Sequence, residues 1–143
     1  MVRINVGVNP RYLHDKHLGA EYNEILKLCG HVRAHPTPCK KPWPTEYTLG
    51  KGHINFFKDK LVYLHRRWEA VCTECERRGR YTDRSKFHKN LQGVDNCTLI
   101  QLANDWQPRQ RDFELVKARI IQRCQQYGFP YSDLQSQVRT RGV

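Results

Sequence analysis

The chain has 143 residues, 38% hydrophobic and 10% aromatic, with 25 Lys and Arg against 14 Asp and Glu, a formal net charge of +11. That length carries one domain with a core of its own, and the absence of repeats or low-complexity tracts excludes a solenoid or a disordered chain. The surplus positive charge is spread along the whole chain, so it implies a folded basic face for a polyanion and not a charged tail.

The chain begins MVRINV. An α-amine is the one protein amine whose unperturbed pKa lies near neutrality, about 7.7–8.0 against about 10.4 for lysine. About a quarter of it is neutral and nucleophilic at pH 7.4. MVRINV lacks the apolar core of a signal peptide, and no apolar run reaches membrane-spanning length, which predicts a cytoplasmic or otherwise intracellular protein.

Asn9-Pro10 predicts a helix start, with Asn as cap and Pro at the first helical position. Leu18, Tyr22, Ile25, Cys29 and Val32 then recur at steps of four and three, as in an amphipathic helix reaching about His35. On its polar side His17 and Glu24 are seven apart, hence on one face and about 10 Å apart along the axis. Lys16, Asn23 and Lys27 flank them. Solvated ion pairs explain such a face as readily as a working carboxylate does.

The stretch HPTPCKKPWPTEY, with four prolines, predicts a long irregular loop. A second helix is predicted from near Ile54, with Phe57, Leu61, Leu64, Trp68, Val71 and Cys75 as its buried stripe and RRGR at its end. Residues 80–105 show no clear period and predict mostly loop. A third helix opens around Pro108 and Asp112 on an apolar line of Phe113, Val116, Ile120 and Cys124, and Gly128-Phe129-Pro130 closes it. The expectation is therefore an all-α, compact single domain (1–143) of three main helices with long irregular connections, residues 131–143 being loosely ordered.

Arg119 and Arg123 are like charges at i,i+4, which neighbours would disfavour without an anion between them. ERRGRYTDRSKFHK is a second basic cluster with Tyr81 and Phe87 interleaved, a pattern that suits a nucleic-acid backbone and its bases as well as it suits a solvated loop. Six cysteines (29, 39, 72, 75, 97 and 124) in a reducing compartment argue against a disulfide framework. Cys72-Thr-Glu-Cys75 has metal-knuckle spacing but falls inside a periodic helix with no second such pair, and Cys29, His31, His35 and Cys39 would need a helix end and a Pro-rich loop to converge. No metal or other cofactor is expected.

MVRINV, HLGAEYNEI, HVRAH, TLGKGHINFFKDKLVYLHRR and CERRG, in that order over about the first 85 residues, resemble the phage endonuclease V family of pyrimidine-dimer DNA glycosylases. The likeness resumes at WQP and KARIIQR, while 86–105 does not align. The resemblance implies an all-α monomer that needs no cofactor and acts on lesion-bearing duplex DNA. It implies a nucleophile that is the α-amine of the residue after the removed methionine, here Val2. It assigns Glu24 the essential carboxylate, Arg3 a flanking phosphate contact and His17 a place near the amine. Lys27, Arg119 and Arg123 match basic DNA-contacting positions, with lysine for arginine at 27 and arginine for lysine at 123. The chain departs from the family where Asn23 stands for an arginine and Lys16 for a glutamine, and where the C-terminal aromatics are reduced to Tyr127, Phe129 and Tyr131. These departures leave open a glycosylase of the same fold for another damaged or modified base. A basic DNA-binding protein without catalysis is the reading from a different class.

Overall fold

In a computed structural model, which describes residues 3–36 and 44–143, the apolar stripes read from the sequence line the core. Val2, Cys39 and the centre of the Pro-rich stretch lie outside the described residues. Three long helices carry the stripes: α1 (Asp15–Ala34), α3 (Leu61–Arg77) and α6 (Gln110–Tyr127). α1 packs on α3, and each fully buried Leu, Val or Phe on that seam contributes about 1.5–3 kcal/mol of transfer free energy.

The expectation of three main helices is corrected: the described residues form seven. The connections hold α2 (His53–Phe57), α4 (Lys86–Lys89), α5 (Asn96–Leu102) and α7 (Ser132–Gln135). The class stays all-α, with one isolated β-bridge between Lys60 and Ala103. Phe87, Leu91 and Leu102 anchor α4 and α5 in the core, and the Asp95 carboxylate caps α5 by accepting from the Thr98 amide at 2.9 Å.

Two predicted helices are interrupted for physical reasons. Asn9 caps only a 3-10 turn over Pro10–Tyr12, and α1 starts afresh at Asp15 with His14 as its N-cap. The guanidinium of Arg78, from beyond α3, donates to the carbonyls of Arg11 (3.1 Å) and Leu13 (2.8 Å) and to Asp15 (2.8 Å). Those carbonyls are thereby turned away from any continuous helix ladder. Likewise α2 and α3 are parted at Lys60, whose ammonium takes the Phe56 carbonyl at 2.8 Å and lies 3.9 Å over the Phe56 ring.

The segment Arg3–Val8 runs through the interior into a turn at Val6-Gly7, and buried side chains from distant elements hold its backbone. Ile4 donates its N–H to His53 Nε2 (3.3 Å) and accepts at its carbonyl from the Tyr47 hydroxyl (3.0 Å). Asn5 donates to Glu21 through its amide (3.3 Å) and Nδ2 (2.7 Å). Glu21 is itself paired with Arg67 through both oxygens, both side chains being 0% exposed. Gly7 closes the segment at φ +76°, where a Cβ would also stand 3.1 Å from Phe113 Cβ on α6. Its N–H donates to the Val143 oxygen and its carbonyl accepts from Thr140, so residues 140–143 are pinned to the same segment.

Candidate functional site

The anchored segment places Arg3 at the mouth of a cavity of about 370 Å³ between α1 and α6. Lys16, His17 and Ala20 line it from α1, and Arg119, Ile120 and Arg123 from α6. Tyr127 and Phe129, at and just beyond the end of α6, close one side. Gly128 makes that closure possible: at φ +73° it ends α6, and the Phe129 amide turns back to the Cys124 carbonyl at 2.8 Å. Phe129 then stacks on His14 at 3.9 Å between ring centroids and stands edge-on to His17 at 6.3 Å.

Three arginines and a lysine therefore converge on one concavity that no carboxylate lines. Arg3 is nearly buried and donates Nε to the Leu49 carbonyl at 2.5 Å. Burial, then the cations of Arg123 and Arg3, hold Arg119 below the usual arginine range. It remains charged, as arginine does in proteins, and an anion in the cavity would relieve the mutual repulsion. The cavity therefore has the charge to attract a phosphate.

His17 is set differently from a surface histidine. Burial, then His14 and the cations of Arg119 and Arg123, pull its pKa below the ordinary value, so it is neutral at neutral pH. Its Nδ1 is buried without a hydrogen-bond partner, a cost of about 1–3 kcal/mol that a ligand donor or a water would relieve. Glu24 lies about two turns further along the same face of α1, 8% exposed and outside the cavity lining. Burial raises its carboxyl above the usual range, opposed by Lys27 and Arg3. A carboxyl so poised can carry a proton closer to neutral pH than a solvated glutamate can.

The other predicted residues divide. Lys27 is exposed beside Glu24. Asn23 faces a second, shallower groove of about 300 Å³ that shares Lys16 with the first. In the cluster 76–89, Tyr81 is on the surface, whereas Phe87 is 2% exposed and packs near Trp68, so its reading as a base-stacking aromatic is corrected. Cys72 and Cys75 lie within α3, and burial raises both thiols, Cys72 to about 12. Among the described residues no three of His, Cys, Asp or Glu are grouped closely enough to hold a metal ion.

The residues that position the site escaped sequence reasoning: Glu21, Tyr47, His53 and Arg67. Glu21 was detectable, because it sits three residues after Leu18 and four before Ile25, in phase with the apolar stripe. A carboxylate there requires a buried partner.

A basic cleft beside an anchored N-terminal segment, in an all-α fold, suits a polyanionic ligand. Residues 1–89 match the family described as pyrimidine dimer DNA glycosylase, and the chain belongs to that family. The match contains Arg3, His17, Glu24 and Lys27, while Arg119 and Arg123 lie beyond it. At the level of the family, the activity is glycosylase action on pyrimidine dimers in DNA. Among the described residues no helix is long and apolar enough to cross a membrane.

Proposed function

We propose that the protein is a monomeric intracellular DNA-repair glycosylase with AP-lyase activity on ultraviolet-induced cyclobutane pyrimidine dimers in duplex DNA. The observation that carries this reading is the convergence of Arg3, His17, Arg119 and Arg123 on one cavity, with the raised Glu24 carboxyl within electrostatic reach of Arg3.

In the proposed chemistry, methionine removal frees the Val2 α-amine. Its lone pair forms a bond to C1′ as the glycosidic C1′–N bond breaks and the base leaves with its electron pair. Opening of the sugar ring at the C1′–O4′ bond gives an imine, a difficult displacement thus being divided into easier steps. Removal of a C2′ proton then expels the phosphate from C3′ and breaks the strand on the 3′ side. Glu24, as carboxylate, stabilises the cationic sugar and iminium and shuttles the protons. Arg3 binds a flanking phosphate, and its cation disfavours protonation of the neighbouring amine. Lys16, Asn23, Lys27, Arg119 and Arg123 hold the DNA, and neutral His17 assists proton transfer near the amine.

Incubation with ultraviolet-irradiated duplex and borohydride tests this. A covalent protein–DNA adduct is expected that requires a free Val2 amine and a dimer, and that falls about 100-fold or more in Glu24→Gln. Equal adduct on undamaged DNA, or none with a verified Val2 terminus, would refute it. Asn23 favours one second reading, a glycosylase for a different damaged base, which the same assay reveals as adduct on a different lesion. Binding without adduct would leave the non-catalytic DNA-binding reading.

A further inference from the structure

The groove of about 300 Å³ on the far side of Lys16 is lined by Gly19, Ala20, Tyr22 and Asn23 of α1 and by Cys75, Arg80 and Tyr81. Two of its features are unusual for a protein surface. Tyr81 is 87% exposed, although the turn that carries it is firmly held. The Arg80 amide donates to the Cys75 carbonyl (2.9 Å), the Asp83 amide to the Tyr22 hydroxyl (3.2 Å) and Trp68 Nε1 to the Arg84 carbonyl (3.0 Å). A fixed turn presenting an aromatic ring to water has the form of a stacking platform.

The second feature is Gly19, in the interior of α1. A glycine there costs about 1 kcal/mol against alanine, and its φ is ordinary, so the backbone does not demand it. What demands it is Arg80: a Cβ at position 19 would stand 2.9 Å from Arg80 Nη2. The guanidinium lies across the helix at this gap, donating Nη1 to the Asp15 carbonyl at 3.1 Å. Among the described residues that is its one hydrogen bond, to a neutral acceptor. The acids of this face are paired with other arginines, Asp15 and Glu74 with Arg78 and Glu76 with Arg84, and Arg80 acts on the Asp15 carboxylate only through space. Arg80 therefore brings a second full charge to a groove to which α1 contributes Lys16 and the neutral Asn23.

We propose that Arg80 and Tyr81 form a second DNA contact, Arg80 on a backbone phosphate and Tyr81 on the face of an unstacked base. Charge complementarity selects nucleic acid as the occupant, and the groove adjoins the cleft across Lys16. The inference rests on the reading of this protein as DNA-binding, and it adds two residues that set affinity and preference without touching the reacting sugar.

Fluorescence anisotropy with two probes tests it, one fully paired duplex and one duplex of the same sequence with a single unpaired base. Arg80→Ala is expected to weaken both probes alike and to lower the slope of log K against log salt by about one. Tyr81→Ala is expected to weaken the unpaired-base probe by about 5- to 100-fold and the paired probe by less than twofold, with Tyr81→Trp restoring the loss. Gly19→Ala is expected to be more stable than the wild type, yet to reproduce the Arg80→Ala loss, since the new Cβ displaces the guanidinium. An unchanged salt slope in Arg80→Ala, equal losses on both probes in Tyr81→Ala, or a wild type that binds neither probe overturns the proposal. The borohydride experiment separates this from the catalytic reading: a wild type that forms no adduct but whose variants lose binding as stated refutes the glycosylase proposal and leaves this contact standing.

Discussion

The anchoring of Ile4 makes His53 a group whose protonation opposes folding. Ile4 N–H can only donate and the Thr48 carbonyl can only accept, so Nε2 carries the lone pair and Nδ1 the proton, at 3.3 and 2.7 Å. A second proton would set N–H against N–H in a buried site. Burial therefore lowers His53 from 6.5 to about 4, with Arg3 and Arg119 adding to it against the Thr48 hydrogen bond. A depressed pKa contributes stability that is whole above the unfolded value and lost as pH falls through the folded one. The window thus runs from about pH 6.5 down to 4, and at about 1.4 kcal/mol per unit the loss amounts to about 3 kcal/mol. For a domain stable by about 5–15 kcal/mol this is a large share. Urea denaturation of wild type and His53→Gln at intervals between pH 7.5 and 4.5 measures it. The glutamine keeps an acceptor for Ile4 but does not titrate. At pH 7.5 the variant should be the weaker by about 1–3 kcal/mol, from the lost Thr48 bond and poorer packing. The difference should shrink steadily below pH 6.5, because the other histidines are common to both proteins and cancel. Two parallel curves would show that His53 does not titrate between the folded and unfolded states as argued.

Glu21→Gln or Arg67→Met should each cost about 3–5 kcal/mol by leaving one charge buried and unpaired, and the double Glu21→Leu/Arg67→Met should recover much of it; thermal melts of the three variants, with no recovery in the double, would refute the pairing. Glu24→Gln should be more stable than the wild type at pH 7, since burial raises that carboxyl and the stability of its protonated form is lost as pH rises; an unchanged or lowered melting temperature would mean that the carboxylate is not strained there. Arg119→Ala with Arg123→Ala should flatten the salt dependence of DNA binding by about two counterion units, and an unchanged slope would place the DNA face elsewhere.

The bodies of α1, α3 and α6 were legible because Leu18 to Val32, Leu61 to Cys75 and Phe113 to Cys124 each repeat over several turns, whereas the break that sets Phe57 apart in α2 was not. α4, α5 and α7 span four to seven residues, about two turns at most, so no period can emerge and a single anchor such as Phe87 or Leu134 decides their place. The start of α1 was misjudged for a non-local reason. The cap at Asn9 is real, but Arg78, more than sixty residues away, takes the carbonyls that would have continued the helix. The site was legible in parts. His17 and Glu24 share a helix face, and Arg119 and Arg123 share another, but only the fold reveals that His17 and the arginines line one cavity while Glu24 lies outside its lining. The second groove was half visible in the exposed Tyr81, and its arginine could not be found without seeing what crosses Gly19.

The pinning of Gly7 ties the amino-terminal segment to residues 140–143. The Val143 oxygen accepts from Gly7, from the Tyr63 hydroxyl at 2.5 Å and from Arg67 Nη1 at 3.2 Å. The course of Arg3–Val8 is therefore held by residues 140–143 as well as by Glu21, His53 and Arg67. Contacts of such long sequence separation form late and slowly. Removing residues 140–143 should loosen the amino-terminal segment, read as faster hydrogen exchange at the Gly7 amide.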